Sequence, residues 1–206
     1  MWWRKRRFVP ELNLAETSIV AIDTETTGFD TTNDRIVSIG VVRIQHGRIL
    51  LNSAEERYIR LDGTLGSSPT IHGITRDNLD QALTESEAML WLLDYIGSDT
   101  LLAHYAKFDR NMLEALARRT SINIPQSIWL DTMDVEVALH PQKHGVADLL
   151  KLDTLLQEYD IEAVRRHTAL GDAFSTALLF QKQLARCQRV GIHKASQVKA
   201  PRTGLW

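Results

Sequence analysis

The side chains that could do chemistry lie in three short segments, and the first is Asp23-Thr24-Glu25-Thr26-Thr27-Gly28. It follows an apolar run at residues 19–22, which predicts a buried strand. Because side chains alternate along a strand, Asp23 and Glu25 project from one face. Two such carboxylates repel each other unless a cation lies between them, and Mg²⁺ prefers oxygen ligands. The pair is a candidate divalent-metal site, whereas an Asp-x-Glu standing alone is most often two solvated acids. The residues that follow predict a turn in which Gly28 allows a ligand to approach the backbone.

The second segment runs from Ala103 to Asp109. It begins where a predicted strand at 100–103 ends and continues into a helix at about 107–119. Asp109 is then expected in the first helical turn, near the carboxyl end of a strand, where ligands collect in open α/β sheets. An isolated acid at this position more often complements the helix dipole.

The third segment runs from His167 to Asp172. Thr168 is a suitable cap for a helix predicted at about 168–186. His167 then precedes the helix and Asp172 falls early within it, so that the two can border one pocket. By itself, His167 would be interpreted as a surface histidine beside two arginines.

Taken together, these segments predict a phosphodiester-hydrolysing site. Four carboxylates at three strand or helix edges can hold two divalent cations roughly 4 Å apart. A histidine beside them can accept the proton of an attacking water as general base. The predicted metal ligands are Asp23, Glu25, Asp109 and Asp172, and the predicted general base is His167.

The elements around these segments predict an α/β domain with a mixed central sheet flanked by helices. Val- and Ile-rich residues 36–44 and residues 48–60 predict two strands, which pair antiparallel because His46-Gly47 leaves only a short turn. A short strand is predicted at 128–130. Further helices are predicted at 84–97, 132–138 and 148–158, the last with Leu149, Leu152 and Leu156 on one face.

Composition agrees with a single folded domain. The 206 residues are 44% hydrophobic and 24% charged, with 24 Lys and Arg against 26 Asp and Glu. A single cysteine, Cys187, excludes an intramolecular disulfide framework and weakly favours a reducing compartment. No apolar run approaches the ~20 residues that span a bilayer, and no secretory signal is expected. A cytoplasmic location is predicted.

Basic residues are concentrated at the two ends of the chain. Residues 4–7 are all Lys or Arg, and residues 173–206 contain no Asp or Glu. We therefore predict a basic arm at 1–17, the catalytic domain at 18–187 and a basic tail at 188–206. Either these termini are solvated and unstructured, or their charge attracts phosphate groups.

The three segments, in this order, resemble the motifs of the DEDDh family of 3′–5′ exonucleases, and in particular its epsilon-like branch. The resemblance extends from about Ser18 to Leu184 and includes Ile71-His72-Gly73-Ile74-Thr75. It implies a ribonuclease-H-like fold and two Mg²⁺ or Mn²⁺ ions on the four acids, with His167 as general base.

The same resemblance suggests substrate contacts. The backbone around Thr26, with Thr27 and Gly28, would meet the terminal 3′-OH, and Phe29 would hold or wedge the terminal base. His72 and His104 are weaker candidates, which either contact the substrate or only order loops. Tyr105 replaces the Asn of many relatives and either stacks on a base or packs in the fold.

The expected reaction is the removal of nucleoside 5′-monophosphates from single-stranded 3′ ends, with DNA as the favoured substrate. A proofreading or binding module attached to a polymerase is one alternative. An RNA exonuclease resembling ribonuclease T or oligoribonuclease is another. No convincing clamp-binding segment is present, so a polymerase partner has no support in the sequence, although Leu205 and Trp206 could anchor a partner.

Overall fold

The structure is a computed structural model that describes residues 11–61 and 82–198. His72, its neighbours in the epsilon-like segment, residues 1–10 and residues 199–206 lie outside the described residues. The strands are β1 (Ile19–Thr26), β2 (Ile36–Gln45), β3 (Arg48–Tyr58), β4 (Thr100–Ala103) and β5 (Trp129–Asp131). The α-helices are α1 (Glu85–Ile96), α2 (Ala106–Thr120), α3 (Thr132–Leu139), α4 (Leu152–Glu158), α5 (Ala169–Arg189) and α6 (Ala195–Val198).

The strands form one mixed sheet in the order β3-β2-β1-β4-β5. β1, β2 and β3 are antiparallel, as predicted, whereas β4 and β5 run parallel to β1. His46 and Gly47 link β2 to β3 with φ values of 49° and 69°. Positive φ at both residues matches the twist of a two-residue hairpin, which explains why glycine is suited to the second position.

Each face of the sheet is covered by helices. Val20 and Ile22 of β1 pack in a core that includes residues of α1 and α2. Ile19 and Ala21 point to the opposite face, where they share a core with residues of α5. The alternation continues beyond Ala21, so Asp23 and Glu25 lie on the α5 side of the sheet.

The site lies at the end of β1, which extends beyond the neighbouring parallel strand β4. β4 pairs with β1 only from Ile19 to Ala21. On the other side, β2 continues to pair with β1 as far as Thr26. The last residues of β1 are therefore held in extended conformation by one neighbour, which leaves the other side open to ligands at the sheet edge.

Several predicted boundaries were wrong. β1 extends through the first motif, so Thr26 belongs to the strand and not to the turn. The helix predicted at 148–158 is instead a 3₁₀ turn at Ala147–Leu150 followed by α4, and Leu149 is exposed rather than sharing a face with the buried Leu152. The break occurs at Lys151, whose extended conformation interrupts the helix.

Described residues near both ends of the chain pack against the core. Leu14, Ala195 and Val198 are buried in the same core as Cys187. The backbone N–H of Leu14 also donates to the carbonyl of His193 at 2.9 Å. Described residues on both sides of the predicted catalytic domain therefore pack against its core. The domain limits of 18 and 187 stay a prediction. None of the helices described is long and apolar enough to cross a membrane.

Gly40 is where β2 meets the start of α5. A Cβ at this position would overlap the backbone of Ala169 and Leu170. We expect Gly40→Ala to lower the free energy of unfolding by about 3 kcal/mol, because neither the strand nor the helix backbone can yield. Gly97→Ala is the control, since its Cβ would meet open space and only its positive φ opposes the change. Urea denaturation should show the larger loss for Gly40→Ala, and equal losses would contradict this account.

Candidate active site

Three acids converge where β1 meets α5. Carboxylate oxygens of Asp23, Glu25 and Asp172 lie within 4.8 Å of one another. β1 supplies the first two from one face, and Asp172 lies in the first turn of α5. Thr168 caps this helix, as predicted, by accepting a hydrogen bond from the Gly171 N–H at 3.1 Å. Two of the predicted segments therefore meet in one acidic cluster.

Asp109 lies next to this cluster, in the first turn of α2, as predicted. Its carboxylate is buried and accepts a hydrogen bond of 2.8 Å from the Thr24 hydroxyl. Thr24 projects from β1 on the face opposite Asp23 and Glu25. This bond therefore ties the second motif to the first across the open end of the strand.

Burial raises the pKa values of Asp23, Glu25 and Asp109, and neighbouring carboxylates add to the effect. Burial, followed by the charges of Asp109, Asp172 and Glu25, raises the pKa of Asp23 well above its usual value. Burial raises the pKa of Glu25 to about 7, with a smaller contribution from the charge of Asp172. Burial also raises the pKa of Asp109 to about 7, opposed by its hydrogen bond from Thr24. A multivalent cation would relieve this repulsion, because it favours the ionised form of every member.

Arg166 was not predicted as a site residue, yet its guanidinium group contacts Asp172. The Nε of the same side chain donates to the Asp153 carboxylate at 2.7 Å. Arg166 thus joins the acidic cluster to the start of α4. The sequence signal was the Arg165-Arg166 pair before His167, which by itself is typical of a solvated surface.

His167 is placed at the edge of the site. Its side chain is exposed, and its backbone is left-handed, with φ of 63°. The structure therefore sets Arg166, and not His167, against Asp172. His167 directly precedes Thr168, the capping residue of α5.

The turn that starts α2 is held by Asp131, which sequence reasoning missed. Its half-buried carboxylate accepts hydrogen bonds from the backbone N–H groups of Tyr105, Ala106 and Met133 at 2.9–3.1 Å. Asp131 thereby caps α3 and fixes the left-handed turn at Tyr105, whose φ is 60°. The available signal was an acid directly after the predicted strand at 128–130.

His104 and Tyr105 differ in their surroundings. The Nδ1 of His104 lies 2.7 Å from the Thr132 hydroxyl, and burial lowers the pKa of the imidazole to about 4. This geometry favours the loop-ordering alternative for His104. Tyr105 is 43% exposed, which disfavours a packing role in the core and leaves the ring accessible.

We expect Asp131→Asn to lower both stability and the hydrolysis rate, although Asp131 is not one of the proposed metal ligands. An amide cannot accept all three N–H donors, because one of its two polar atoms is itself a donor. The substitution should cost about 1–2 kcal/mol of stability, as for the loss of a helix cap. It should also lower the hydrolysis rate by loosening the turn that positions Asp109. Thermal denaturation and a hydrolysis assay test both expectations. Glu87→Gln is the control, because Glu87 is an exposed residue in the capping box of α1. An unchanged hydrolysis rate in Asp131→Asn would contradict a positioning role.

The turn after β1 is organised by Asp34. Its carboxylate accepts hydrogen bonds of 2.8 Å from the Thr27 hydroxyl and the Asp30 N–H. A Cβ on Gly28 would lie 2.5 Å from this carboxylate. The absence of a side chain at Gly28 thus lets Asp34 approach the backbone closely. The approach of a ligand to the same backbone stays a prediction.

Phe29 follows this turn and is 87% exposed. Its ring centroid lies 6.1 Å from that of Phe108 at an interplanar angle of 55°. Phe108 precedes Asp109 in the second motif. An aromatic surface therefore borders the acidic cluster, with one ring open to solvent.

A second set of possible metal ligands, Glu136, His140 and Glu158, lies away from this site. The Lys143 ammonium donates to Glu136 at 2.7 Å and to Glu158 at 2.5 Å. This set already has a lysine as its cation, and it ties α3 to α4. Such an arrangement is structural, in contrast to the cluster at the end of β1.

The oxygen-only ligands of the β1 cluster fit hard divalent cations. The central strand of the mixed sheet presents two carboxylates, and each of two helices adds one more acid. This combination defines the class of ribonuclease-H-like nucleases with a carboxylate-lined active site. A sequence profile of the exonuclease family RNase_T matches residues 20–180. The chain belongs to this exonuclease family.

Relatives with similar sequences include much longer proteins. The chain is 29% identical over 188 residues to a PolC-type DNA polymerase III from Caldanaerobacter subterraneus subsp. tengcongensis. That alignment covers 90% of this chain but 13% of the polymerase. The PolC-type polymerase of Bacillus subtilis is also 29% identical, over 87% of this chain and 12% of its own length. The chain thus spans about one-eighth of the length of these relatives.

Solved structures with a similar fold include two exonucleases. Exonuclease I of E. coli, in complex with a dT13 oligonucleotide, superposes with a TM-score of 0.71 at 18% identity, over 85% of this chain and 43% of that one. Exonuclease X, in complex with 5′-overhanging duplex DNA, gives a TM-score of 0.65 at 23% identity, over 87% of this chain and 99% of that one. These likenesses confirm the predicted ribonuclease-H-like fold.

Proposed function

We propose that this chain is a 3′–5′ exonuclease that hydrolyses phosphodiester bonds at single-stranded 3′ ends with two bound Mg²⁺ or Mn²⁺ ions. The observation that carries the proposal is the convergence of Asp23, Glu25 and Asp172 beside Asp109, in a chain of this exonuclease family. DNA is the favoured substrate, because the exonuclease I structure with a similar fold holds a DNA oligonucleotide. Nucleoside 5′-monophosphates are the expected products.

The four acids would hold the cations, which when bound supply charge stabilisation for an in-line displacement at phosphorus. The acids themselves contribute a rigid set of oxygens, because β2 and the Thr24 hydroxyl restrain β1 and Asp109. His167 would accept the proton of the attacking water. Its exposed position before α5 allows it to act at the open edge of the cluster and to release that proton to solvent.

The aromatic pair offers a place for the terminal base. The exposed ring of Phe29 is backed by Phe108, so a base can stack on it without displacing packed residues. Stacking of this kind contributes ~1–3 kcal/mol per base and tolerates any base. The backbone around Thr26, Thr27 and Gly28 connects Glu25 to Phe29 and would meet the terminal 3′-OH. Tyr105 is a further accessible ring near the start of α2.

A polarity assay tests the proposal directly. Single-stranded DNA carrying a 5′ label should give a ladder of products shortened one nucleotide at a time, and only in the presence of Mg²⁺ or Mn²⁺. The same oligonucleotide with a 3′ label should release labelled mononucleotide from the start. Matched single-stranded RNA and blunt duplex DNA should be cleaved more slowly. Internal cleavage, or equal activity in chelator, would exclude the proposed mechanism.

The relation to polymerases favours a second candidate, a proofreading or binding module. The sequence relatives are PolC-type polymerases, in which the matched segment is a small part of a long chain. A proofreading enzyme should remove a mispaired 3′ terminus faster than a paired one. A cytoplasmic location stays a prediction for either candidate.

Deletion of residues 199–206 separates a binding role of the tail from hydrolysis. The deletion begins after the buried Val198, so it leaves the described core intact. If the tail binds a polymerase, the deletion should abolish retention of that polymerase while hydrolysis of short substrates continues. If full-length protein retains no polymerase, the binding candidate is excluded.

A further inference from the structure

The acidic cluster already contacts one positive charge of the protein, the guanidinium group of Arg166. This group contacts Asp172 through Nη1 and donates to Asp153 through Nε at 2.7 Å. Its side chain is 19% exposed, so the contact is partly shielded from solvent. The positive charge also favours the ionised forms of Asp23 and Glu25, opposing the effect of their burial. Arg166 therefore partly neutralises the acids that are proposed to hold the cations.

The backbone fixes this arrangement. Arg166 lies between two residues with left-handed conformations, Arg165 and His167, whose φ values are 48° and 63°. The Thr168 hydroxyl donates to the Arg165 carbonyl at 2.9 Å. Gly171 admits the same carbonyl against α5, where a Cβ would overlap it. The position of Arg166 thus follows from the cap of α5 and is not that of a freely rotating surface side chain.

A cation bound at Asp172 and the guanidinium group of Arg166 require the same carboxylate. Since like charges repel, occupation by one weakens the other. Asp153, which is largely exposed, remains as an anchor to which the released guanidinium can stay attached.

We propose that Arg166 competes with divalent cations for Asp172, and that its ion pair sets the cation concentration at which the active site fills. The inference rests on the proposed metal-dependent function and deepens it. It assigns to Arg166 a regulatory role in metal binding, distinct from the ligand role of the acids. In consequence, the acids of the site are partly neutralised by Arg166 until divalent cation is abundant.

Isothermal titration of the full-length protein with Mn²⁺, without nucleic acid, tests this role. Arg166→Gln should tighten Mn²⁺ binding about tenfold, since it removes a nearby positive charge that is only partly screened. Arg166→Lys keeps the charge but cannot bridge both acids, so its affinity should fall between those of Arg166→Gln and the unaltered protein. Arg165→Gln is the matched control, because Arg165 is an exposed neighbour and should leave the affinity unchanged.

Thermal denaturation provides a second measurement. If Arg166 had only a structural role, its substitution would change the melting temperature equally with and without Mn²⁺. In chelator, Arg166→Gln should melt below the unaltered protein, because Asp172 loses its counter-charge. In saturating Mn²⁺ the difference in melting temperature should become smaller or change sign, because a more tightly bound ion stabilises the folded state more. A deficit of the same size in both conditions would indicate a structural role and overturn the proposal.

The calorimetric outcomes distinguish failure of the proposed competition by Arg166 from failure of the proposed metal-dependent function. Unchanged or weaker Mn²⁺ binding in both Arg166 variants overturns the competition while leaving the metal site intact. An equal increase in Mn²⁺ affinity in Arg165→Gln also overturns the competition, because the effect would then come from the net charge of the protein and not from the contact with Asp172. Failure of the unaltered protein to bind Mn²⁺ would overturn the proposed metal-dependent function itself, and the competition with it.

Discussion

Asp23→Asn is expected to reduce exonuclease activity by on the order of 10³-fold or more while leaving the protein folded. Asp23 lies at the centre of the acidic cluster, next to Glu25 and within the field of Asp109 and Asp172. An amide of the same size preserves packing but supplies no negative charge for a cation. The loss should therefore appear in kcat at saturating substrate, and excess Mn²⁺ should restore little of it.

The same substitution should stabilise the protein in chelator. The folded state raises the pKa values of Asp23, Glu25 and Asp109, so it binds protons that the unfolded chain has already released. The contribution of these three groups to the free energy of unfolding must then fall as the pH rises from about 4 through about 7. Asp23→Asn removes one of these charges, so its stability should decline less over that range.

Denaturation at pH 5 and pH 8, with chelator and with Mn²⁺, measures this difference. Asp34→Asn is not a suitable control, because Asp34 organises the neighbouring turn. Asp94→Asn in α1 changes the same charge far from the cluster and should affect neither activity nor the pH dependence. An Asp23→Asn protein that is less stable than the unaltered one at pH 8 in chelator would show that the acids do not repel one another in the folded state.

His167→Ala is expected to lower kcat by about 10²–10⁴-fold, the usual contribution of a positioned general base. Because its side chain is exposed and buries no apolar surface in the core, the melting temperature should change little. Mn²⁺ binding should also persist, since the acidic cluster is intact. This combination separates His167 from Asp23, whose substitution should impair metal binding and hydrolysis together.

The pH dependence of the residual rate gives a second criterion. Without the base, the remaining activity should rise with pH as hydroxide replaces it, and added imidazole should restore part of the rate. His144→Ala, another exposed histidine outside the site, should behave like the unaltered protein. Full activity in His167→Ala would mean that another group accepts the proton, and Arg166 could not be that group because arginine stays protonated.

Much of the fold was predictable because its signals are local. The apolar run before Asp23, the His46-Gly47 turn and the cap at Thr168 each depend on neighbours within a few residues. Strand pairing and the order of the motifs then bring Asp23, Glu25 and Asp172 into one cluster. The split of the helix predicted at 148–158 could not be foreseen, because its leucine spacing is compatible with one continuous helix.

By itself, the sequence determined which side chains are available for catalysis, since residue type and local spacing decide what a motif can bind. Only the tertiary structure decided which groups face those acids. Asp131 supports the second motif from 22 positions beyond Asp109, and Arg166, between two left-handed residues, contacts Asp172. Such contacts depend on how distant elements are placed and how the backbone turns, and the spacing of residue types along the chain contains neither.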